Sequence, residues 1–373
     1  MIASLLVHGL YMLYAVGFLL GFATIFTWVE RKQSAVMSDR IGANRAYIRI
    51  PYTQIKLVAW GLFHGLADGA KMILKENFTP ATYDRFCYHL APWLTAVPVL
   101  LVFAVVPFGG PIQPGLLFGG AMQGFFGDAR YPMQIAQMDA GVLVVLAVSG
   151  IGILGTMLAG WSSNNKFSML GAARAASQMI SYELAMGLAL IAMVVTFGTL
   201  DLDVMVQWQR QHVWGIFVQP LGFLLFLTAA IAENKRVPFD LPECESELVA
   251  GYFTEYTSMK MGLFFLSEFI EIVVISALLV TLFFGGYAVP FLAPEGFVFP
   301  GGGTWHLPHG LVVVLQVLCF WIKVFIAGCF QIGIRWTLPR FRFDQLMDLG
   351  WKGLLPLATL NLVITAFVVW WLT

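Results

Sequence analysis

Charge is what this sequence has least of. Only 11% of its 373 residues are Asp, Glu, Lys or Arg, against 59% hydrophobic residues and a mean hydropathy of +0.80. That balance excludes a water-soluble domain and puts the chain in lipid. Cysteine is scarce as well, and Cys87, Cys244, Cys319 and Cys329 never stand in a C-x-x-C pair, so neither an iron–sulfur cluster nor a zinc site is indicated. None of the six histidines lies well inside an apolar run, where the paired axial ligands of a membrane haem would sit. With 21 basic and 21 acidic residues there is no net charge to attract nucleic acid. Internal repeats, low-complexity tracts and separating linkers are missing too, so residues 1–373 read as a single integral membrane domain. If electron transfer matters to this chain, a partner carries the electrons.

What is present is a series of apolar runs. Crossing about 30 Å of hydrocarbon at 1.5 Å per residue takes about 20 residues, and eight segments approach that length: 4–28, 91–108, 135–160, 184–200, 215–232, 261–286, 310–334 and 353–372. The expected fold is therefore all-α, a polytopic membrane helix bundle of about eight transmembrane helices. The first run lacks a basic n-region and a small-residue cleavage site, which marks a retained helix. The loops after spans one, three, five and seven hold 9, 2, 3 and 4 of the 21 Lys and Arg residues, so the positive-inside rule places those loops in the cytoplasm and both termini outside.

In the first loop, residues 52–76 are too polar to span. Ile55, Val58, Leu62, Leu66, Ala70 and Ile73 recur at helical spacing, with His64, Asp68, Lys71 and Lys75 on the other side. The pattern predicts an amphipathic interfacial helix. The stripe Gly61, Gly65, Gly69 implies a closely packed backbone; a simple lipid anchor is the plainer alternative.

Ionisable groups within or beside apolar spans are expensive and need a reason. Asp139 falls in span three, Glu183 opens span four, Glu233 closes span five, Glu268 and Glu271 lie three apart on one face of span six, and Lys323 is near the middle of span seven. Glu268 or Glu271 paired with Lys323 would make a polar axis; helix caps plus one buried ion pair is the competing reading. The fifth loop, about 233–260, is stranger. In AENKRVPFDLPECESELVAGYFTEY six acids, Glu233, Asp240, Glu243, Glu245, Glu247 and Glu255, share 25 residues with apolar and aromatic groups. That interleaving suggests a folded, partly buried acidic funnel in place of a solvated loop.

This loop is similar to the most characteristic stretch of the membrane subunit called H in bacterial complex I and its mitochondrially encoded counterpart. In the same order, WVERKQSAVMSDRIGANRA, LADGAKMILKENFTP, GWSSNNKFSMLGAARAASQMISYELAMGL and RWTLPRFRFDQLMDLGWKGLLPL resemble the family's first-helix end, interfacial helix, third loop with fourth helix, and seventh loop. Ala43 stands where the family usually has Pro, a departure of local loop geometry. The resemblance implies a chamber through which isoprenoid quinone, as substrate, reaches a site on a peripheral subunit. The chamber residues it implies are Arg31, Arg40, Arg45, Asp68, Lys75, Arg236, Asp240, Glu243, Glu245 and Glu247. It implies a proton path through Asp139, Glu183, Glu233 and Glu255, with Arg174, Ser177, Gln178 and Tyr182 around Glu183. It further implies peripheral quinone-site and iron–sulfur subunits and small membrane subunits as partners, FMN and iron–sulfur clusters held by them, and no cofactor bound by this chain; a length of 373 residues, long for the mitochondrial version, suggests a bacterial inner membrane. Two alternatives stand beside it: the equivalent subunit of a membrane-bound hydrogenase-type complex, and a stand-alone proton or cation transporter.

Overall fold

A backbone out of water must satisfy its own N–H and C=O groups, so apolar runs of this length become helices. The computed structural model describes residues 2–49, 56–113, 130–294, 296–298 and 303–372. In chain order its helices are α1 (Ile2–Met37), α2 (Phe63–Leu74), α3 (Arg85–Val102), α4 (Gly141–Ser162), α5 (Lys166–Phe197), α6 (Leu202–Gln211), α7 (Gly215–Val218), α8 (Pro220–Glu233), α9 (Glu245–Leu248), α10 (Ser258–Phe283), α11 (His309–Thr337), α12 (Phe343–Asp348) and α13 (Leu355–Leu372). A π-helical segment, Leu349–Leu354, joins α12 to α13. Among the described residues seven helical segments are long and apolar enough to cross a membrane. The expected eighth, 215–232, is broken into α7 and the 14-residue α8, because Gln219 leaves helical geometry and Pro220 starts a new helix. At 1.5 Å per residue α8 is about 21 Å long, short of a full crossing.

Three local expectations are corrected. Asp139 does not lie in the third span; α4 starts at Gly141, and Asp139 is exposed in the turn before it. Glu183 does not open the fourth span. The Asn165 side chain accepts a hydrogen bond from Phe167 N at 2.9 Å and starts α5 there, so Glu183 falls in the middle of a 32-residue helix. The interfacial helix is shorter than 52–76. Residues 52–55 lie outside the described residues, Lys56–Leu57 pairs with Ile48–Arg49 as antiparallel strands, and helix begins only at Phe63. Ala59, Trp60 and Gly61 all have positive φ, and a Cβ on Gly61 would meet Ala43 O at 1.5 Å, so the chain turns sharply before α2.

The bundle packs α3 on α4, α4 on α5, and α5 on α8 and α13, while α10 lies against α1, α3 and α11. Aromatic rings knit α1 to α11, with Phe22 stacked 4.9 Å from Trp321 and Phe26 5.9 Å from Phe325. The odd-numbered loops meet at one end of the bundle. Arg174 and Asn165 of the third reach Glu247 and Glu255 of the fifth, Arg340 of the seventh reaches Asp240, and Phe78 of the first bonds Thr257.

Candidate functional site

A cavity of about 570 Å³ opens at that end between α1, α2, α10 and the fifth loop. One wall is apolar and small, with Ala23, Gly65, Gly69, Met72, Gly262 and Leu266. The amphipathic α2 explains how it forms. Leu62, Leu66 and Ile73 are exposed away from the cavity, while Asp68, Lys71 and Met72 face into it, and Gly65 lets α2 approach α1 so closely that a Cβ would meet Thr24 Cγ2 at 2.5 Å.

The rest of the lining holds ionic groups. Glu30 on α1 accepts hydrogen bonds from Arg236 (Nη1 to Oε2, 2.7 Å) and from Arg335 of α11, and Arg236 also approaches Glu268 of α10 at 3.4 Å. The Arg236 guanidinium lies 4.1 Å from the centroid of Phe269. Burial works against its charge, but Glu30 and Glu268 outweigh that and hold it above its ordinary range. Arg340 donates to Asp240 at 2.7 Å. Burial nevertheless pushes the Asp240 carboxyl up to about 6, with Arg340 pulling the other way. Burial and then Glu268 hold the Glu243 carboxyl well above the carboxylate range, and its Oε1 finds no donor among the described residues. The Tyr252 hydroxyl points at Glu268 Oε1, 3.3 Å away. Burial keeps that phenol protonated and therefore a donor.

A second, smaller pocket of about 50 Å³ lies deeper, between α3, α4, α5, α8 and α10. Glu233, Glu271 and Ser149 line it, and Lys235 lines both it and the large cavity. Ser149 donates to Glu183 Oε1 at 3.3 Å. The carboxylates thus run from Asp240, Glu243 and Glu268 past Lys235 to Glu233 and Glu271, and through Ser149 to Glu183. Among the described residues no three His, Cys, Asp or Glu are grouped to hold a metal ion.

The profile of the NADH dehydrogenase family matches residues 10–366. The H 1 subunit of the NADH-quinone oxidoreductase of Cytophaga hutchinsonii is 42% identical, aligned over 91% of this chain and 90% of its own length. The H subunit of the same enzyme from Flavobacterium psychrophilum is also 42% identical over 91% and 90%, and the H 2 subunit from Geobacter sulfurreducens 40% over 97% and 96%. The chain belongs to this family. The likeness to these NADH-quinone oxidoreductase subunits covers almost all of the sequence, so the family's motifs can be set against the geometry residue by residue.

Of the chamber residues that the family resemblance implies, the structure brings Arg31, Asp68, Arg236, Asp240 and Glu243 to the cavity, with Arg31 and Asp68 paired to each other. Arg40, Arg45 and Lys75 are exposed and do not line it; Glu247 pairs outward with Arg174 at 2.5 Å. Glu245 begins α9, and its side chain lies outside the described ones. Of the path residues Glu233 and Glu183 are in the deep series, whereas Asp139 is not, and Glu255 accepts from Asn165 at 2.6 Å in the third loop. Of the residues expected around Glu183, Arg174 pairs with Glu247, and the other three serve the backbone: Ser177 donates to Ala173 O, Gln178 to Ala232 O and Phe239 O, and Tyr182 to Leu346 O. The expected pairing of Lys323 with Glu268 or Glu271 is corrected. Its ammonium donates to Phe284 O, Gly286 O and Ala288 O at 2.9, 3.0 and 2.9 Å, at the far end of α10, about 20 Å along the axis from Glu271. Sequence reading missed Glu30, Arg335, Arg340, Tyr252 and Ser149. All but Ser149 stood inside a quoted family segment: Glu30 beside Arg31 at the end of the first span, Tyr252 in the acidic fifth loop, and Arg335 and Arg340 in the seventh.

Proposed function

We propose that this chain is the membrane subunit of a proton-translocating NADH-quinone oxidoreductase that forms the quinone entry chamber and starts the proton path. The observation that carries the reading is the cavity itself. Its apolar lining suits an isoprenoid tail, its charged lining suits a polar headgroup, and Lys235 joins the cavity to a buried carboxylate series. Quinone reduction consumes protons and alters local charge, and carboxyls whose charge state depends on burial respond to it. Electrons arrive from FMN and iron–sulfur clusters held by partner subunits, and the quinone headgroup is reduced on a peripheral neighbour. This chain's own groups orient the substrate and hold or pass protons. The basic loops face the cytoplasm of a bacterial inner membrane, and both termini face outward. The names of the relatives favour this reading over a hydrogenase-type subunit or a stand-alone transporter.

A photoactivatable short-tail quinone bound to the assembled complex tests it. The expected adducts fall on cavity residues of α1, α2 and α10, such as Met72 and Leu266, and a competing natural quinone suppresses them. Adducts confined to the outward lipid-facing helix surfaces contradict the reading.

A further inference from the structure

On the far side of α10 from the cavity, at the same end of the bundle, lie three basic groups that form no ion pair among the described residues. Arg85 and His89, one turn apart on α3, are exposed, and Lys260 stands in the first turn of α10, which packs on α3. Arg85 and Lys260 are both close enough to act electrostatically on the His89 ring. The Lys260 ammonium is enclosed, has no hydrogen-bond acceptor among the described residues, and rests 4.7 Å from the centroid of Tyr88. Nearby carboxylates are already engaged: Asp84 caps α3 through Cys87 N at 2.9 Å, and Glu255 is turned to Asn165.

Lys260 also sits where a helix dipole opposes it. Arg85 is the first residue of α3 and Lys260 the third of α10, positions that favour negative charge; Asp84 supplies it at α3 as the N-cap, whereas the first turn of α10 contains no acid. An anion beside the start of α10 and three basic side chains meets matching charge from both sources. What kind of anion follows from the surface next to it. Phe86, Trp93 and Val97 are exposed at spacings of seven and four along α3, and His89 falls between the first two. A ligand that fills both parts has an anionic head and an apolar tail.

We propose that Arg85, His89 and Lys260 bind the phosphodiester of an anionic phospholipid whose acyl chain lies along the Phe86, Trp93, Val97 stripe of α3. Arg85 and His89 hold the headgroup directly, and Lys260, on a flexible four-carbon stem, turns from the Tyr88 ring to reach it. The site is separate from the chamber and does not depend on what the chamber binds.

The assembled complex, reconstituted in nanodiscs of phosphatidylcholine doped with photoactivatable phosphatidylglycerol, tests the proposal. The wild type should yield adducts on the α3 peptide, falling about fivefold for each cation removed in Arg85→Gln and Lys260→Gln. Lys260→Arg should keep them. Photoactivatable phosphatidylcholine should label weakly, and inorganic phosphate should not compete. Equal labelling by the two lipids, labelling unchanged in Arg85→Gln, or displacement by phosphate overturns the proposal. So does a neighbouring subunit's helix found covering His89. Should Lys260→Gln impair assembly, the exposed Arg85→Gln decides alone.

Discussion

Asp240 is the cavity carboxyl placed to titrate near neutrality, because burial raises it to about 6 while Arg340 at 2.7 Å restrains it. Arg340→Gln removes the restraint, so the acidic limb of the quinone reductase pH profile should move to higher pH; an unmoved limb separates Asp240 from turnover. The stability sign is fixed by the same shift. A carboxyl raised above its unfolded value contributes stability that is present below about pH 4 and lost as pH rises through about 6. Asp240→Asn should therefore flatten the thermal stability of the complex across that window. Lys323 belongs to a different account. Its three carbonyl partners tie down the C-terminal end of α10, and Lys323→Met should lower stability by about 2–4 kcal/mol while leaving protons pumped per quinone unchanged. A lowered pumping ratio in a well-assembled Lys323→Met complex would return this lysine to the path. The sequence made the expense of Lys323 visible but not its partner. Residues 284–308 form a long connection, so the depth of α11 against α10 is free of the span ends. The partners of Glu30 were unreadable for a similar reason: Arg236 and Arg335 are 206 and 305 positions away.

At the level of elements, hydrophobic periodicity found the spanning helices but not where they begin. The Asn165 cap extends α5 down to Lys166 through residues polar enough to pass for loop, and so moves Glu183 to mid-helix. The break at Gln219–Pro220 hides inside an apolar run, because hydropathy does not register backbone geometry. Around Glu183, α5 is held by the segment after α11: Tyr182 donates to Leu346 O at 2.9 Å, and Trp351 to Ser181 Oγ at 3.0 Å in the π-helical stretch. The amphipathic α2 was legible in its Phe63–Leu74 part, and the positive-φ turn ahead of it was not. Its role in shaping the cavity mouth is testable at Gly65. Val at this position must displace Thr24, whose Cγ2 a Cβ would meet at 2.5 Å, and so pushes α2 off α1. Gly65→Val should raise the apparent KM for quinone severalfold with NADH-to-ferricyanide transfer intact. An unchanged KM means that α2 does not shape the entry.

The molecule as a whole gathers its odd-numbered loops at one end, and the charge asymmetry of the sequence anticipated that grouping. Cysteine labelling of the complex in oriented vesicles should reach positions 40 and 345 from the cytoplasmic side only; labelling from the outer side would invert the orientation. Within that frame the central claim is that cavity and deep carboxylates form one connected system through Lys235. The direct measurement is proton translocation per quinone reduced in Glu233→Gln, read together with NADH oxidation by ferricyanide. Glu233 is buried, lines the deep pocket and lies outside the cavity wall. The account predicts a complex that assembles, passes electrons from NADH to ferricyanide at the wild-type rate, and loses most of its coupled pumping. Wild-type pumping in a fully assembled Glu233→Gln complex would contradict it and leave the deep acids a structural role.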